Sequence, residues 1–245
     1  MSTPATSTLR PRPGRGAVVL LDLDDTLVDH GSALVTGYAA HLRAEGIVPE
    51  DIDVAQRRWL ELEELHYGRY TAGETDFAGQ RTARGRDAAA DFGVHLDDAA
   101  AGAWFDRYFA HYGDAWHLFD DARPALDALR AAGVPLGIIT NGDPVFQARK
   151  MRRTGLDGFF DTVVCSGALG VAKPEPQIFA HAAAAMKAAP GDCWYLGDRL
   201  GTDARGARDA GLHGVWLARD HAIADPGDVP RVHDLREFTR LVLAA

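Results

Sequence analysis

Cysteine is scarce: the 245 residues include only Cys165 and Cys193. The two lack CxxC spacing and each lies in an apolar stretch, so they read as buried free thiols, not a disulfide framework or a metal clip. Neither implies an oxidising compartment. Long hydrophobic runs are absent as well, and none reaches the roughly 18 residues of a membrane-spanning helix. Basic residues are in deficit, with 26 Lys and Arg against 35 Asp and Glu and a formal net charge of −9. Sequence-independent nucleic-acid binding needs clustered Lys and Arg to neutralise phosphates. The expected partners therefore include no nucleic acid and no membrane. A phosphorylated small molecule stays compatible, because one cation or metal reverses the field locally. What is present is ordinary: 47% apolar and 25% charged residues, in a chain long enough to bury a core without a metal or disulfide staple. Residues 1–16 hold Ser, Thr, Pro and Arg but no acid, and they read as a disordered tail. The expectation is a cytoplasmic protein, monomer or homodimer.

Ala17 to Leu21 is a short continuous apolar run, which predicts a strand buried on both faces as in a parallel sheet. Leu136–Ile139, Thr162–Cys165, Trp194–Leu196 and Val215–Leu217 resemble it. Helical patterns separate the last four. One runs from Pro144 to Thr154 with Asp143 as N-cap, one from Pro176 to about Lys187, and one from Thr202 to Ala210, stopped by Gly211. Alternating strands and helices predict an α/β fold with a doubly wound parallel sheet. From about His30 to Trp116 the alternation stops. Four helical stretches follow one another there: Ser32–Glu45, Glu50–Tyr67, Asp76–Phe92 and Asp97–Tyr112. The last carries Trp104, Phe105, Tyr108 and Tyr112 on one stripe, as a core face would. The expected organisation is a tail at 1–16, an α/β core at 17–29 and 117–245, and an inserted helical domain at 30–116. Asp225–Pro230 reads as a loop and Asp234–Leu243 as a closing helix.

Ligands of open parallel sheets bind at the carboxyl ends of the strands. After the first strand come Asp22, Asp24, Asp25 and Thr26, and after the second Thr140, Asn141, Gly142 and Asp143. The third leads to Lys173, and the fourth to Gly197 and Asp198, with Asp203 five residues further on. Crowded carboxylates cannot all stay ionised without a cation. Mg²⁺ is the natural occupant, because it is hard, prefers oxygen and leaves positions for water and phosphate. Asp22 and Asp198 read as direct ligands together with the backbone carbonyl of Asp24, and Asp203 as support behind them. Thr140 and the amides preceding the helix at Pro144 form an anion site, to which Lys173 adds a point charge. The set reads as a cradle for a phosphoryl group.

These residues resemble the haloacid dehalogenase superfamily of phosphohydrolases. Asp22-Leu23-Asp24-Asp25-Thr26 is similar to its first motif, DxDxT, and Thr140 to the strand-end Ser or Thr of its second. Lys173 in Gly170-Val171-Ala172-Lys173-Pro174 resembles the third motif, and Gly197-Asp198 with Asp203 the GDxxxxD form of the fourth. The helical insertion resembles the C1 cap of subfamily I, which includes phosphoglycolate phosphatase, nucleotidase and β-phosphoglucomutase relatives. The resemblance implies a Rossmann-like core and a Mg²⁺-dependent phosphatase of a small phosphorylated metabolite, such as a nucleoside monophosphate or a sugar phosphate. Asp22 would be the nucleophile that becomes an aspartyl phosphate, and Asp24 the acid and base. Mg²⁺ at Asp22, Asp24, Asp198 and Asp203, with Thr140, Asn141 and Lys173, would neutralise the phosphoryl oxygens.

Asp24 also discriminates, since a halide leaving group needs no proton and the dehalogenases lack this second Asp. Arg199 departs from the small hydroxyl residue often found there. His66, Tyr67, Arg69, Tyr70 and Arg81 flank the expected loop between the second and third cap helices, a region that faces substrate in relatives. An isomerase of the β-phosphoglucomutase kind shares all four motifs and stays open. A receiver-type phosphorylation switch also groups acids, a hydroxyl and a lysine around Mg²⁺. Receivers, however, are about half this length and carry their phosphorylated Asp on the third strand, whose run here ends at Cys165.

Overall fold

A computed structural model describes residues 17–224 and 227–245. The expected tail at 1–16 and the first two residues of the expected loop at Asp225–Pro230 lie outside them. In chain order the elements are β1 (Val18–Leu21), α1 (His30–Ala44), α2 (Ile52–Thr71), α3 (Phe77–Ala90), α4 (Asp98–Asp114), α5 (Ala122–Ala131), β2 (Leu136–Thr140), α6 (Pro144–Arg153), β3 (Thr162–Cys165), α7 (Ser166–Leu169), α8 (Pro176–Ala185), β4 (Cys193–Gly197), α9 (Gly206–Asp209), β5 (His213–Leu217), β6 (Arg231–Val232) and α10 (Leu235–Leu243). The chain divides into two compact units. One holds the chain up to Asp29 together with Leu118–Ala245, and the other His30–His117.

In the first unit six parallel strands lie in the order β3-β2-β1-β4-β5-β6. The order reverses between β1 and β4, and at such a reversal the loops beyond the carboxyl ends part into a crevice. Alternate residues along each strand serve opposite faces. Val19, Leu21, Leu136, Ile138, Trp194 and Leu196 pack under α5 and α10 with Leu126, Leu129, Phe238 and Val242. On the other face Val18, Leu20, Ile139 and Tyr195 meet Ile178, Phe179 and Ala182 of α8. Each large side chain of this kind stabilises the unit by about 1.5–3 kcal/mol.

Several expectations change. The run Thr162–Cys165 is not buried on both faces: β3 is an edge strand, and Val163 is exposed. The helix expected at Thr202 instead starts as a wide turn over Leu200–Arg205 before α9. Sequence reading leaves out α5, whose Ala122, Ala125, Leu126 and Leu129 nonetheless recur at helical spacing. It also leaves out α7 and β6, which are too short to show a period.

The second unit is built from α1 to α4. Trp59, Trp104, Tyr38 and Tyr108 are almost fully buried in its centre. Tyr38 stacks on Trp59 with ring centroids 4.4 Å apart, and Tyr108 meets Trp59 edge-on at 4.3 Å. The aromatic stripe of α4 is thus a core face, as its spacing predicts. The second helix reaches Thr71, further than the expected Tyr67: it runs through Gly68 and ends only before Gly73, which takes a left-handed φ of 76°.

Candidate active site

The backbone N–H of Asp22 donates to Leu196 at 2.9 Å, which prolongs the β1–β4 ladder. The chain then turns sharply: Leu27 and Val28 both donate to the carbonyl of Leu23, and Asp25 takes a left-handed φ of 57°. Asp tolerates that region better than most side chains. Arg219 braces the turn by donating to the carbonyl of Thr26 at 2.9 Å while gripping Asp121 with two nitrogens at 3.1 Å.

The turn directs Asp22 inward, where Lys173 Nζ donates to its Oδ1 at 2.6 Å and Thr26 Oγ1 to its Oδ2 at 3.2 Å. The same ammonium donates to the Tyr195 hydroxyl at 2.9 Å and lies 2.8 Å from Asp203 Oδ1. Asp203 Oδ2 accepts the backbone N–H of Arg199 at 3.0 Å, so donors engage both its oxygens. Gly197 makes room for it: a Cβ there would stand 2.4 Å from Asp203 Cγ. The glycine and the second acid of the fourth motif are therefore one packing unit. Trp216 Nε1 donates to the carbonyl of Asp198 at 2.8 Å and anchors the loop between them.

Thr140 ends β2 and is buried. Asn141 faces the third motif: its Nδ2 donates to the carbonyl of Lys173 at 2.9 Å and its Oδ1 accepts the Lys173 N–H at 2.8 Å. Its side chain is thus committed to joining two loops, which leaves its backbone amide as the group for an anion. Asp143 caps α6 by accepting from Phe146 N at 2.9 Å. Two polar residues on α6 that sequence reasoning missed complete the site. Gln147 Nε2 donates to Thr140 Oγ1 at 2.9 Å and to Asp24 Oδ2 at 3.0 Å, and Lys150 forms an ion pair with Asp24 Oδ1. Their signal in the sequence was weak. Both share the stripe of buried Met151, yet Lys150 sits among Arg149, Arg152 and Arg153 and reads as one more solvated cation.

Electrostatically the acids outweigh the base. Among the described residues, Asp22, Asp198 and Asp203 each offer a carboxylate oxygen within 4.8 Å of the others. Burial pushes the Asp22 carboxyl up to about 7; Lys173 pulls against it, and Asp203 and Asp24 add repulsion. Burial, followed by repulsion from Asp22, Asp203 and Asp25, pushes Asp198 up to about 8. Burial disfavours the charge on Lys173, but Asp22 and Asp203 outweigh it and hold the ammonium well above the usual lysine range. Tyr195, buried beside Asp203, is driven up and stays a neutral phenol. Carboxylates that resist ionisation beside one another, with hard oxygen donors only, suit a small dication such as Mg²⁺.

In the helical unit the residues singled out near the α2–α3 connection lie on the helices themselves. His66 is buried and meets Asp87 at 2.8 Å. Tyr67 and Tyr70 have ring centroids 5.7 Å apart, and Arg69 pairs with Glu74 at 3.1 Å. The Arg81 guanidinium lies over the rings of Phe77, Phe105 and Phe109 at 5.4, 4.8 and 4.2 Å.

Comparison with known proteins agrees with this geometry. A family model described as haloacid dehalogenase-like hydrolase matches residues 17–211. The chain is 34% identical to a glyceraldehyde 3-phosphate phosphatase of Methanopyrus kandleri, over 82% of this chain and 83% of that protein. It is 39% identical to a phosphoserine phosphatase of Thermus thermophilus over 49% of each. Among solved structures it is similar to the magnesium-bound putative HAD-hydrolase YfnB of Bacillus subtilis, with a TM-score of 0.78 and 21% identity over 94% of this chain and 99% of that one. The sheet order, the grouped acids and these matches have one meaning: the chain belongs to the haloacid dehalogenase-like hydrolase family.

Proposed function

We propose that the chain is a Mg²⁺-dependent phosphatase of small phosphomonoesters, with Asp22 as nucleophile and Asp24 as the acid and base. The observation that carries this is the unlike surroundings of two acids two residues apart. Asp22 lies among Lys173, Asp198 and Asp203, whereas the Asp24 side chain turns to Lys150 and Gln147. A nucleophile and a proton carrier need different environments, and these two have them.

Asp22, Asp198 and the backbone carbonyl of Asp24 would hold the ion, with Asp203 behind them; when bound, it supplies positive charge to the ionised acids and to phosphoryl oxygens. The protein's own residues do the rest. Asp22 attacks phosphorus and becomes an aspartyl phosphate, which replaces one difficult displacement by two easier ones. Lys173, the Thr140 hydroxyl and the amide of Asn141 bind the equatorial oxygens. Asp24 gives a proton to the leaving oxygen, then takes one from the water that opens the acyl phosphate.

The M. kandleri and T. thermophilus relatives are named for small phosphorylated metabolites. They support a small phosphate ester here, and within that class we propose a nucleoside monophosphate or a sugar phosphate. Tyr67, Arg69, Tyr70 and Arg81 are our candidates for the substrate-recognising side of the cap. A phosphate-release panel tests the proposal: turnover is expected on at least one such ester and is abolished by EDTA and by Asp22→Asn. Wild-type-like release from D22N, or an isomerised sugar phosphate formed without free phosphate, refutes it.

A further inference from the structure

Gln147 and Lys150 lie one turn apart on α6, and both are buried, Lys150 completely. Lysine is almost never found fully buried unless paired. Here the pair is Lys150 with Asp24 Oδ1, and the amide of Gln147 donates to Asp24 Oδ2 at 3.0 Å. Donors from one helix thus meet both oxygens of Asp24. Toward the ionised form of Asp24, which only accepts, the Gln147 amide turns its nitrogen. The second proton of that nitrogen goes to Thr140 Oγ1 at 2.9 Å. With its oxygen accepting, the Thr140 hydroxyl keeps its own proton to donate to an anion. Gly142 preserves the space, since a Cβ there would stand 2.8 Å from Gln147 Nε2. One amide therefore bridges the phosphate-side hydroxyl and the acid that handles the proton.

Resting on the phosphatase reading above, we infer that Gln147 and Lys150 are positioning residues for proton transfer to the leaving oxygen. In the step they serve, a bond forms between Asp22 oxygen and phosphorus. The ester P–O bond breaks and its electron pair passes to the departing oxygen. That oxygen takes the proton as the O–H bond of the Asp24 carboxyl breaks. The ammonium and amide fix where this carboxyl points before the step and face the carboxylate left behind after it. Held from two sides, Asp24 cannot swing away as the proton moves.

The test compares kcat/KM on benzyl phosphate, whose alcohol leaves poorly, with 4-nitrophenyl phosphate, whose leaving anion is stable unprotonated. kcat/KM reports the steps up to phosphoryl transfer, and the ratio of two substrates in one preparation does not depend on the fraction folded. Proton assistance is worth about 10²–10⁴-fold. Lys150→Met is therefore expected to lose about 100-fold on benzyl phosphate and less than about 10-fold on 4-nitrophenyl phosphate. Gln147→Leu, which leaves the ammonium in place, should move the ratio the same way by about 10-fold. Equal losses on both esters, or no loss on either, overturn the inference and leave the phosphatase reading standing. Wild-type-like phosphate release from D22N overturns the reading itself.

Discussion

Two acids, the buried Asp22 of the sheet unit and the half-buried Glu63 of the helical unit, shift in opposite directions. Burial raises both, yet Glu63 ends near 2 because Arg84 at 3.3 Å and His30 at 3.7 Å overcome it. Asp22 ends near 7 because its single ammonium is shared with Asp203 and answered by further carboxylates. Around Glu63 the charge is met by the Arg84 guanidinium, which also lies 3.9 Å over the Trp59 ring. The acid cluster of the sheet unit has more negative charge than its lysine can meet. A carboxylate met by its own cation is structural, whereas an acidic surplus beside a lysine is a place where a cation and a substrate phosphate can enter together.

The largest effect that could break this contrast is on activity. Asp22→Asn should lower kcat by about 10⁴-fold or more, the usual scale for removing a covalent nucleophile. Chelation should abolish turnover in the wild type, and added Mg²⁺ should restore it. Mg²⁺ at about 100 times its Kd should also stabilise the wild type by about 2.7 kcal/mol. A melting temperature indifferent to Mg²⁺ would show that the cluster needs no cation and would erase the difference between the two units.

Next in size is the pair inside the helical unit. Arg84→Met strands Glu63 and removes a cation from the Trp59 face. The expected loss is about 2–4 kcal/mol in a urea melt, and Mg²⁺ should not recover it. An unchanged midpoint would mean that the pair contributes nothing.

A pH series sharpens the contrast by its sign. In metal-free protein, Asp198 near 8 and Asp22 near 7 hold protons that the unfolded chain has already released at neutral pH. Their contribution is present below about pH 4 and is lost as pH rises through 7 and 8. Asp198→Asn should therefore stabilise the chelated protein at pH 9 relative to wild type, by about 1–3 kcal/mol, and hardly below about pH 4. Glu63 runs the other way: its contribution is present above about pH 4.5 and fades as pH falls toward 2. Glu63→Gln should cost stability at pH 7 and progressively less in acid. Parallel pH slopes for the two variants would remove the basis of the comparison.

How far this was legible beforehand differs between the two regions for physical reasons. The sheet announced itself because β1, β2 and β4 are buried on both faces and read as unbroken apolar runs. The first acids and Thr140 follow those runs directly, so topology alone gathers them. β6 has two residues and no period to detect. Gln147 and Lys150 were hidden because a buried lysine has the same letter as a solvated one, and only the approach of the β1 turn to α6 makes it a partner of Asp24. The backbone amide of Asn141 keeps the anion role proposed for it, but spacing gives no sign that its side chain ties the second motif to the third. Side-chain commitments of that kind depend on neighbours distant in sequence, which spacing does not carry.

The smallest effect belongs to a surface residue. Arg69 and Glu74 pair at 3.1 Å with about half of each side chain exposed, at 51% and 57%. Exposed pairs of this kind contribute about 0.2–1 kcal/mol, so Arg69→Ala should melt within about 0.5 kcal/mol of wild type. Yet a cation on the substrate side of a cap would bind the ground state and the transition state alike. Its loss should then raise KM about 3–10-fold on the preferred ester and leave kcat unchanged, the mark of lost uniform binding. Should KM stay at the wild-type value, Arg69 is a solvated partner of Glu74 and drops out of the proposed recognition set.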